Sequence, residues 1–353
     1  MLNSALGLVM LVGSYGSPTD TTFHAYKFDC ETGTAELIQN LTGLSNPSYL
    51  ILTPNDDFVI TVNENSNRID GVTMLKRDKA SGDYDAVASR TTGDADPCHI
   101  AISPNGKYLV TANYSGGSIS VVSFDLSDQK FGEASIMKFE GSGPLRVRQQ
   151  TPHPHFRSFT PDSSAMIVND LGTDRLHIFP LDSTGYPDFH AMTDVMLSPG
   201  SGPRHLVYDR SGKNAYLINE ISGTVTHLRY NPAEKTLEPV SDILADYYNA
   251  SGSSDIHLSP DGRFLYISNR LKGDGIMTFA VNEADGSLTS AGFTSTGKHP
   301  RNFAITPDGK WLLVACRDDN VIEVFSRNAE DGSLTKTARN ISCPKPVCII
   351  FQV

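Results

Sequence analysis

The chain has 353 residues, with Lys+Arg 29 against Asp+Glu 40, a formal net charge of −11 and a mean hydropathy of −0.24. That acidic balance leaves no general basic face for nucleic acid or an anionic membrane, and apolar stretches of about eight residues are too short for a membrane-spanning helix. Gly 29 and Pro 20 are spread along the whole length, which favours many short strands joined by turns over long helices.

The first segment, Met1 to Val12, is largely apolar. No Lys or Arg precedes its apolar run and no small-residue cleavage site follows it. It therefore reads as a first strand rather than a signal peptide, ended by the turn Gly13-Ser14-Tyr15-Gly16. A cytoplasmic location goes with that reading; an export signal already removed would make the protein periplasmic. The five cysteines, Cys30, Cys98, Cys316, Cys343 and Cys348, are odd in number and form no C-x-x-C. They fit neither a zinc site nor a disulfide framework and are expected as buried, reduced thiols.

From residue 46 one unit recurs. Asn46-Pro47-Ser48-Tyr49-Leu50 leads to Pro54-Asn55, and Asp96-Pro97-Cys98-His99-Ile100 leads to Pro104-Asn105-Gly106-Lys107. The same frame returns at Pro154-His155-Phe156, Pro203-Arg204-His205, Ser259-Pro260-Asp261-Gly262 and Pro300-Arg301-Asn302. Anchors at 54, 104, 161, 210, 260 and 307 are spaced by 50, 57, 49, 50 and 47 residues. A seventh, partial unit, Pro346-Val347-Cys348-Ile349-Ile350-Phe351, holds only the first strand. Each unit reads strand, Pro-Asp/Asn-Gly turn, strand, then two further strands with Asp-Gly tips such as Asp285-Gly286 and Asp331-Gly332. Four short strands per unit of about 50 residues is the period of a propeller blade. The expected fold is an all-β, seven-bladed β-propeller of four-stranded blades spanning 1–353 as one domain. Its last blade is closed by the N-terminal strands pairing with the C-terminal strand from Pro346.

Two positions of the repeat carry unusual residues. The residue after the leading Pro, or its equivalent, reads Ser48, Cys98, His155, Arg204, Ser254, Arg301, Val347. The residue after the second strand reads Glu64, Tyr114, Leu171, Glu220, Arg270, Arg317, each preceded by Asn63, Asn113, Asp170, Asn219, Asn269 or Cys316. The Asn/Asp run is read as local backbone bonding at strand ends. The charged residues beside it converge on the channel if the blades are radial. Arg204 and Glu220 share one hairpin and should open on the same channel mouth. Their types suit ester hydrolysis, which needs an activated water and a cationic home for the oxyanion. No G-x-S-x-G elbow and no H-E-x-x-H occurs, so neither a serine triad nor a zinc site is read. The basic segment Arg146-Val147-Arg148-Gln149-Gln150 reads either as a loop over the mouth that helps bind phosphate or as a solvated loop.

Several stretches resemble the seven-bladed propeller lactonase family. They are Gly200-Ser201-Gly202-Pro203-Arg204-His205-Leu206, Asn219-Glu220, Asp255-Ile256-His257-Leu258-Ser259-Pro260-Asp261-Gly262, Asn269-Arg270 and His299-Pro300-Arg301-Asn302-Phe303. That family includes the bacterial propeller-type 6-phosphogluconolactonases and is related to fungal 3-carboxymuconate cyclases. The resemblance implies a hydrolase that opens 6-phospho-D-glucono-1,5-lactone, in the pentose phosphate pathway, with no cofactor and no metal. It implies a catalytic set at His155, Arg204, Glu220 and Arg270, with His153 as the competing histidine. Arg301, His99, Glu64 and Arg317 are the candidate substrate contacts. His205 faces away from Arg204 and reads equally as a packed histidine or a ligand. The partner expected is a small anionic sugar lactone, for a monomer or weak homodimer. A cycloisomerase making a lactone from a carboxymuconate, and a non-catalytic binding scaffold, are the alternatives.

Overall fold

The computed structural model describes residues 8–352. Met1 to Gly7, read above as the start of the first strand, lie outside the described residues; the strand itself covers Leu8–Ser14. Seven antiparallel sheets form the molecule. Blades 1 to 6 begin with the inner strands Leu50–Leu52, Pro97–Ile102, Pro154–Phe159, Pro203–Tyr208, Ser253–Leu258 and Pro300–Ile305. Each then runs outward in chain order, and blade 6 carries one extra short strand, Ile341–Ser342. Blade 7 takes its inner strand, Pro346–Gln352, from one end of the chain and Leu8–Ser14, Phe23–Asp29 and Thr34–Leu41 from the other. Val12 pairs with Ile349 and Leu11 with Ile350 across the join. The ring is thus closed by backbone hydrogen bonds, which leaves no open end blade.

The turn chemistry follows the sequence. Gly106, Gly262 and Gly309 have φ of 71°, 77° and 72° in the inner hairpins, and where glycine is missing Asp56 and Ser163 take up the same left-handed region at 57° and 59°. Between every two neighbouring blades lies one apolar cluster, for example Phe58, Ile60 and Val72 of blade 1 against Ile100 and Leu109 of blade 2. Trp311, the only tryptophan, belongs to the cluster joining blades 6 and 7 and donates its indole N–H to the Cys30 carbonyl at 2.7 Å. Trp311→Ala should therefore destabilise the protein by about 3–5 kcal/mol, read as a lower urea midpoint at unchanged slope; a loss under 1 kcal/mol would show that this interface does not hold the ring.

Two recurrent devices aim side chains at one channel mouth. In every blade the second repeat position donates its N–H to the carbonyl of the residue before the leading Pro or its equivalent: Tyr15 to Lys345, Glu64 to Asn46, Tyr114 to Asp96, Leu171 to His153, Glu220 to Gly202, Arg270 to Gly252 and Arg317 to His299, at 2.8–3.2 Å. Local backbone bonding, expected of the Asn/Asp before it, holds for Asp170, whose Oδ1 accepts from the Gly172 N–H at 2.9 Å; the asparagines instead donate to hydroxyls of the third strand, Asn63 to Thr73, Asn113 to Ser118 and Ser120, Asn219 to Thr224 and Thr226. Inner strands 2 to 6 also break register right after their first residue. That irregularity releases Cys98, His155, Arg204, Ser254 and Arg301 from the ladder, as bulges beside functional sites do.

Candidate active site

Glu64, Cys98, Tyr114, His155, Glu220, Arg270 and Arg301 line a cavity of about 190 Å³ at that mouth. All seven come from the two repeat positions singled out in the sequence. Glu220 is its electrostatic centre. Arg204 Nε lies 2.9 Å and Arg270 Nη2 3.2 Å from its Oε2, and Arg148 Nη2 bonds its Oε1. The Arg204 contact is a meeting of charges rather than an aligned hydrogen bond, and Arg204 Nη1 has no partner. Burial pushes the Glu220 carboxyl up, but Arg270, Arg204 and Arg148 outweigh it and hold its pKa at about 2. Burial in turn lowers Arg270 to about 9, with Glu220 pulling back. Arg270 is fixed further by its Nε–H donated to the Gly252 carbonyl at 2.8 Å.

His155, not His153, faces the cavity. Burial, then the Arg204 charge, holds its imidazole well below the ordinary range, so it is neutral at pH 7. His153 stacks on Tyr114 with centroids 4.6 Å apart and its Nδ1 sits 3.0 Å from the Tyr114 carbonyl. Opposite Glu220, Arg301 lies 3.5 Å from Glu64 and over the ring of Tyr15 at 5.2 Å, and Tyr15 donates its hydroxyl to Glu64 at 3.0 Å.

Three expected residues stand apart from the cavity wall. Arg204 is behind Glu220 and 2% exposed, where it holds the carboxylate. Arg317 reaches the site only through His299, at 3.2 Å, which lies 3.4 Å from Arg270; its guanidinium is otherwise paired to Asp318 at 2.6 Å. His99 lies deeper, on the axis, between Tyr49 at 4.0 Å and Phe156 at 4.2 Å. His205 joins the same layer and is tied to Asp255 at 2.8 Å, a packed histidine. One residue of the site, Tyr15, was not singled out; it fills the second repeat position of blade 7, which the chain supplies from its N-terminal part. Arg148 comes from the basic segment read either as a loop over the mouth or as a solvated loop, and it reaches Glu220. Gln149 anchors that loop by bonds to the Leu171 carbonyl and Asp174 at 2.9 and 2.7 Å, and Arg148 Nη1 reaches the Ser251 carbonyl at 3.5 Å.

A larger hollow, about 640 Å³, lies on the outer edge of blades 1 and 2 among Asp57, Lys76, Arg77 and Lys79. Lys79 there is already paired with Asp57 at 2.7 Å, so the charges are not directed into the space. Among the described residues no three His, Cys, Asp or Glu are grouped to hold a metal ion, and no helix is long and apolar enough to cross a membrane.

A closed propeller with a cationic, carboxylate-centred pocket at one mouth defines a small-molecule propeller enzyme. The chain belongs to the lactonase family of seven-bladed beta-propellers, whose model matches residues 9–351, and it is a lactone hydrolase. It is 35% identical over 344 residues to the 6-phosphogluconolactonase of Formosa agariphila, covering 94% of this chain and 96% of that one. It is 30% identical to the 6-phosphogluconolactonase of Bacillus subtilis, covering 96% and 97%. Among solved structures, the periplasmic gluconolactonase of Pseudomonas aeruginosa superposes with a TM-score of 0.90 at 27% identity, covering 98% and 99%. A Bacteroides fragilis propeller superposes at 0.93 with 43% identity over all of both chains.

Proposed function

We propose that the protein opens 6-phospho-D-glucono-1,5-lactone to 6-phosphogluconate at the Glu220 cavity. The observation that carries this reading is a local excess of positive charge. Arg148, Arg204, Arg270 and Arg301 surround two carboxylates, Glu64 and Glu220, in a chain whose net charge is −11. The cluster as a whole carries two more positive than negative charges, which suits a phosphomonoester of about −2. The relatives named 6-phosphogluconolactonase at near-full coverage support the same substrate.

In this mechanism water adds to the lactone carbonyl, its proton passing to Glu220. The oxyanion forms against Arg270, and collapse breaks the bond between C1 and the ring oxygen, which takes the proton back from Glu220; the acid released then loses its own proton to bulk water. Glu220 at about 2 is a weak base while three guanidiniums hold it. Arg148 is the movable one, half exposed on a loop while the other two are buried. Drawn to the substrate phosphate, it frees Oε1 and strengthens the base where the water must sit. His155, neutral and in the wall, orients that water. Arg204 is a positioning residue. Every group of the site comes from one chain, so a monomer suffices. A phosphorylated sugar as substrate supports a cytoplasmic site of action.

Arg148→Gln tests the phosphate part. It should raise KM for the 6-phospholactone about 10-fold while leaving glucono-1,5-lactone within 3-fold; an equal effect on both lactones would remove Arg148 from phosphate binding. Incubation with 3-carboxy-cis,cis-muconate, followed by ultraviolet loss of the diene, separates the hydrolase from a cycloisomerase. No loss is expected.

A further inference from the structure

Arg157 breaks the pattern of the fold. In the other six blades its position on the inner strand holds Leu50, Ile100, Leu206, Ile256, Phe303 or Ile349, each buried against a neighbouring blade. The register confirms the equivalence: Ile100 pairs with Thr111, Arg157 with Val168 and Leu206 with Leu217 on the second strands. Arg157 is nonetheless 0% exposed. Its Nε–H is spent on the Val110 carbonyl, and among the described residues Nη1 and Nη2 have no hydrogen-bond partner; the charge is otherwise supported by the Phe159 ring, 5.7 Å from the guanidinium carbon. Among the described residues it takes part in no ion pair, whereas Asp255, the carboxylate of the axial layer, is already shared by His205 and His257 at 2.8 and 2.9 Å.

Burial pushes the Arg157 guanidinium well below its ordinary range, but an ordinary value above 12 leaves a guanidinium protonated at pH 7 even so. An unpaired buried charge is among the costliest features a fold can hold, so the free donors of Arg157 call for an acceptor. A second orphan lies beside it. Both ring nitrogens of His99 are buried without a partner. Phe156, the residue before Arg157, packs on the His99 ring at 4.2 Å, and Arg157 Nε reaches the Val110 carbonyl of the blade that carries His99, so the two groups lie on adjoining inner strands; burial first, and the Arg157 charge after it, hold the His99 imidazole well below its ordinary range. Tyr49, partly buried and tilted against His99 at 4.0 Å, keeps its hydroxyl proton, since desolvation pushes the phenol up and the Arg157 charge lowers it only in part. The donors therefore outnumber the acceptors on the axis, one pleat further from the mouth than His155.

We propose that Arg157, with His99 and the Tyr49 hydroxyl, forms an internal anion site on the propeller axis beneath the catalytic cavity, taking a small monovalent inorganic anion of the chloride class. The burial of Arg157 and His99, 0% and 3% exposed, favours a small monovalent anion over phosphate and carboxylate ligands, whose place is the open cavity above. A bound anion would neutralise the core beneath the cavity and stabilise the closed ring. It takes no part in the reaction and does not rest on the identity of the lactone.

The test uses the whole protein freed of halide in a bulky sulfonate buffer at constant ionic strength. Titrating sodium bromide should raise the melting temperature saturably, by about 2 °C or more at a ten-fold excess over the dissociation constant. A crystal grown in bromide should show an anomalous peak in contact with Arg157 Nη1 and Nη2. Arg157→Leu, which restores the residue type of the other blades, should melt at or above the halide-free wild type and show no bromide response. A map without bromide at Arg157, water there instead, or an unchanged bromide response in Arg157→Leu would overturn the proposal. Should Arg157→Leu fail to fold, the wild-type bromide map decides alone.

Discussion

Glu220→Gln should lower kcat on 6-phospho-D-glucono-1,5-lactone by about 100-fold or more while KM stays within about 3-fold. The amide keeps the shape and most of the packing but cannot take the proton of the attacking water. It also loses the charge on which Arg148, Arg204 and Arg270 converge. Stopped-flow pH-indicator traces, corrected for spontaneous opening, give both constants. The pH dependence of stability checks the same group. Its folded pKa, about 2, lies below its ordinary 4.5, so its contribution is complete above about pH 4.5 and is lost as pH falls toward 2. In Glu220→Gln that part of the acid transition should disappear. A loss of kcat under 10-fold would show that another group handles the proton, and His155→Ala then identifies it.

Arg204→Met carries the second large effect. Removing one member of a buried pair leaves the other short of compensation, which costs about 3 kcal/mol here because Arg270 and Arg148 remain. A merely structural role would end there. The site predicts in addition that the Glu220 carboxyl rises once Arg204 no longer lowers it. The acid limb of the kcat/KM profile should then move to higher pH, with Arg204→Lys restoring part of the shift. A destabilised variant with an unmoved acid limb would reduce Arg204 to packing.

The period of the repeat made the fold legible, down to the joining of Pro346–Gln352 with Leu8–Ser14 in blade 7. The cavity was legible in the same way, because position in a blade decides direction. The bulge after the first inner-strand residue and the recurring N–H bond after the second strand turn two sequence positions into a ring of side chains. Depth was not legible. Cys98 lines the cavity while His99, next in sequence, packs on the axis between Tyr49 and Phe156. Arg204 came out behind Glu220 because the carboxylate reaches past it into the space. Tyr15 was missed because blade 7 is assembled from both ends, which separates its repeat positions in the chain. Arg148 lies in a loop with no counterpart in other blades, so no comparison between repeats could show that it crosses the mouth to Glu220.

The most direct measurement is the rate at which purified protein removes 6-phospho-D-glucono-1,5-lactone beyond its spontaneous opening, followed as 6-phosphogluconate formed. Acceleration with kcat/KM of about 10⁴ M⁻¹s⁻¹ or more, greater than on unphosphorylated glucono-1,5-lactone, is the result this account predicts. Loss of the phospholactone no faster than in buffer would contradict it.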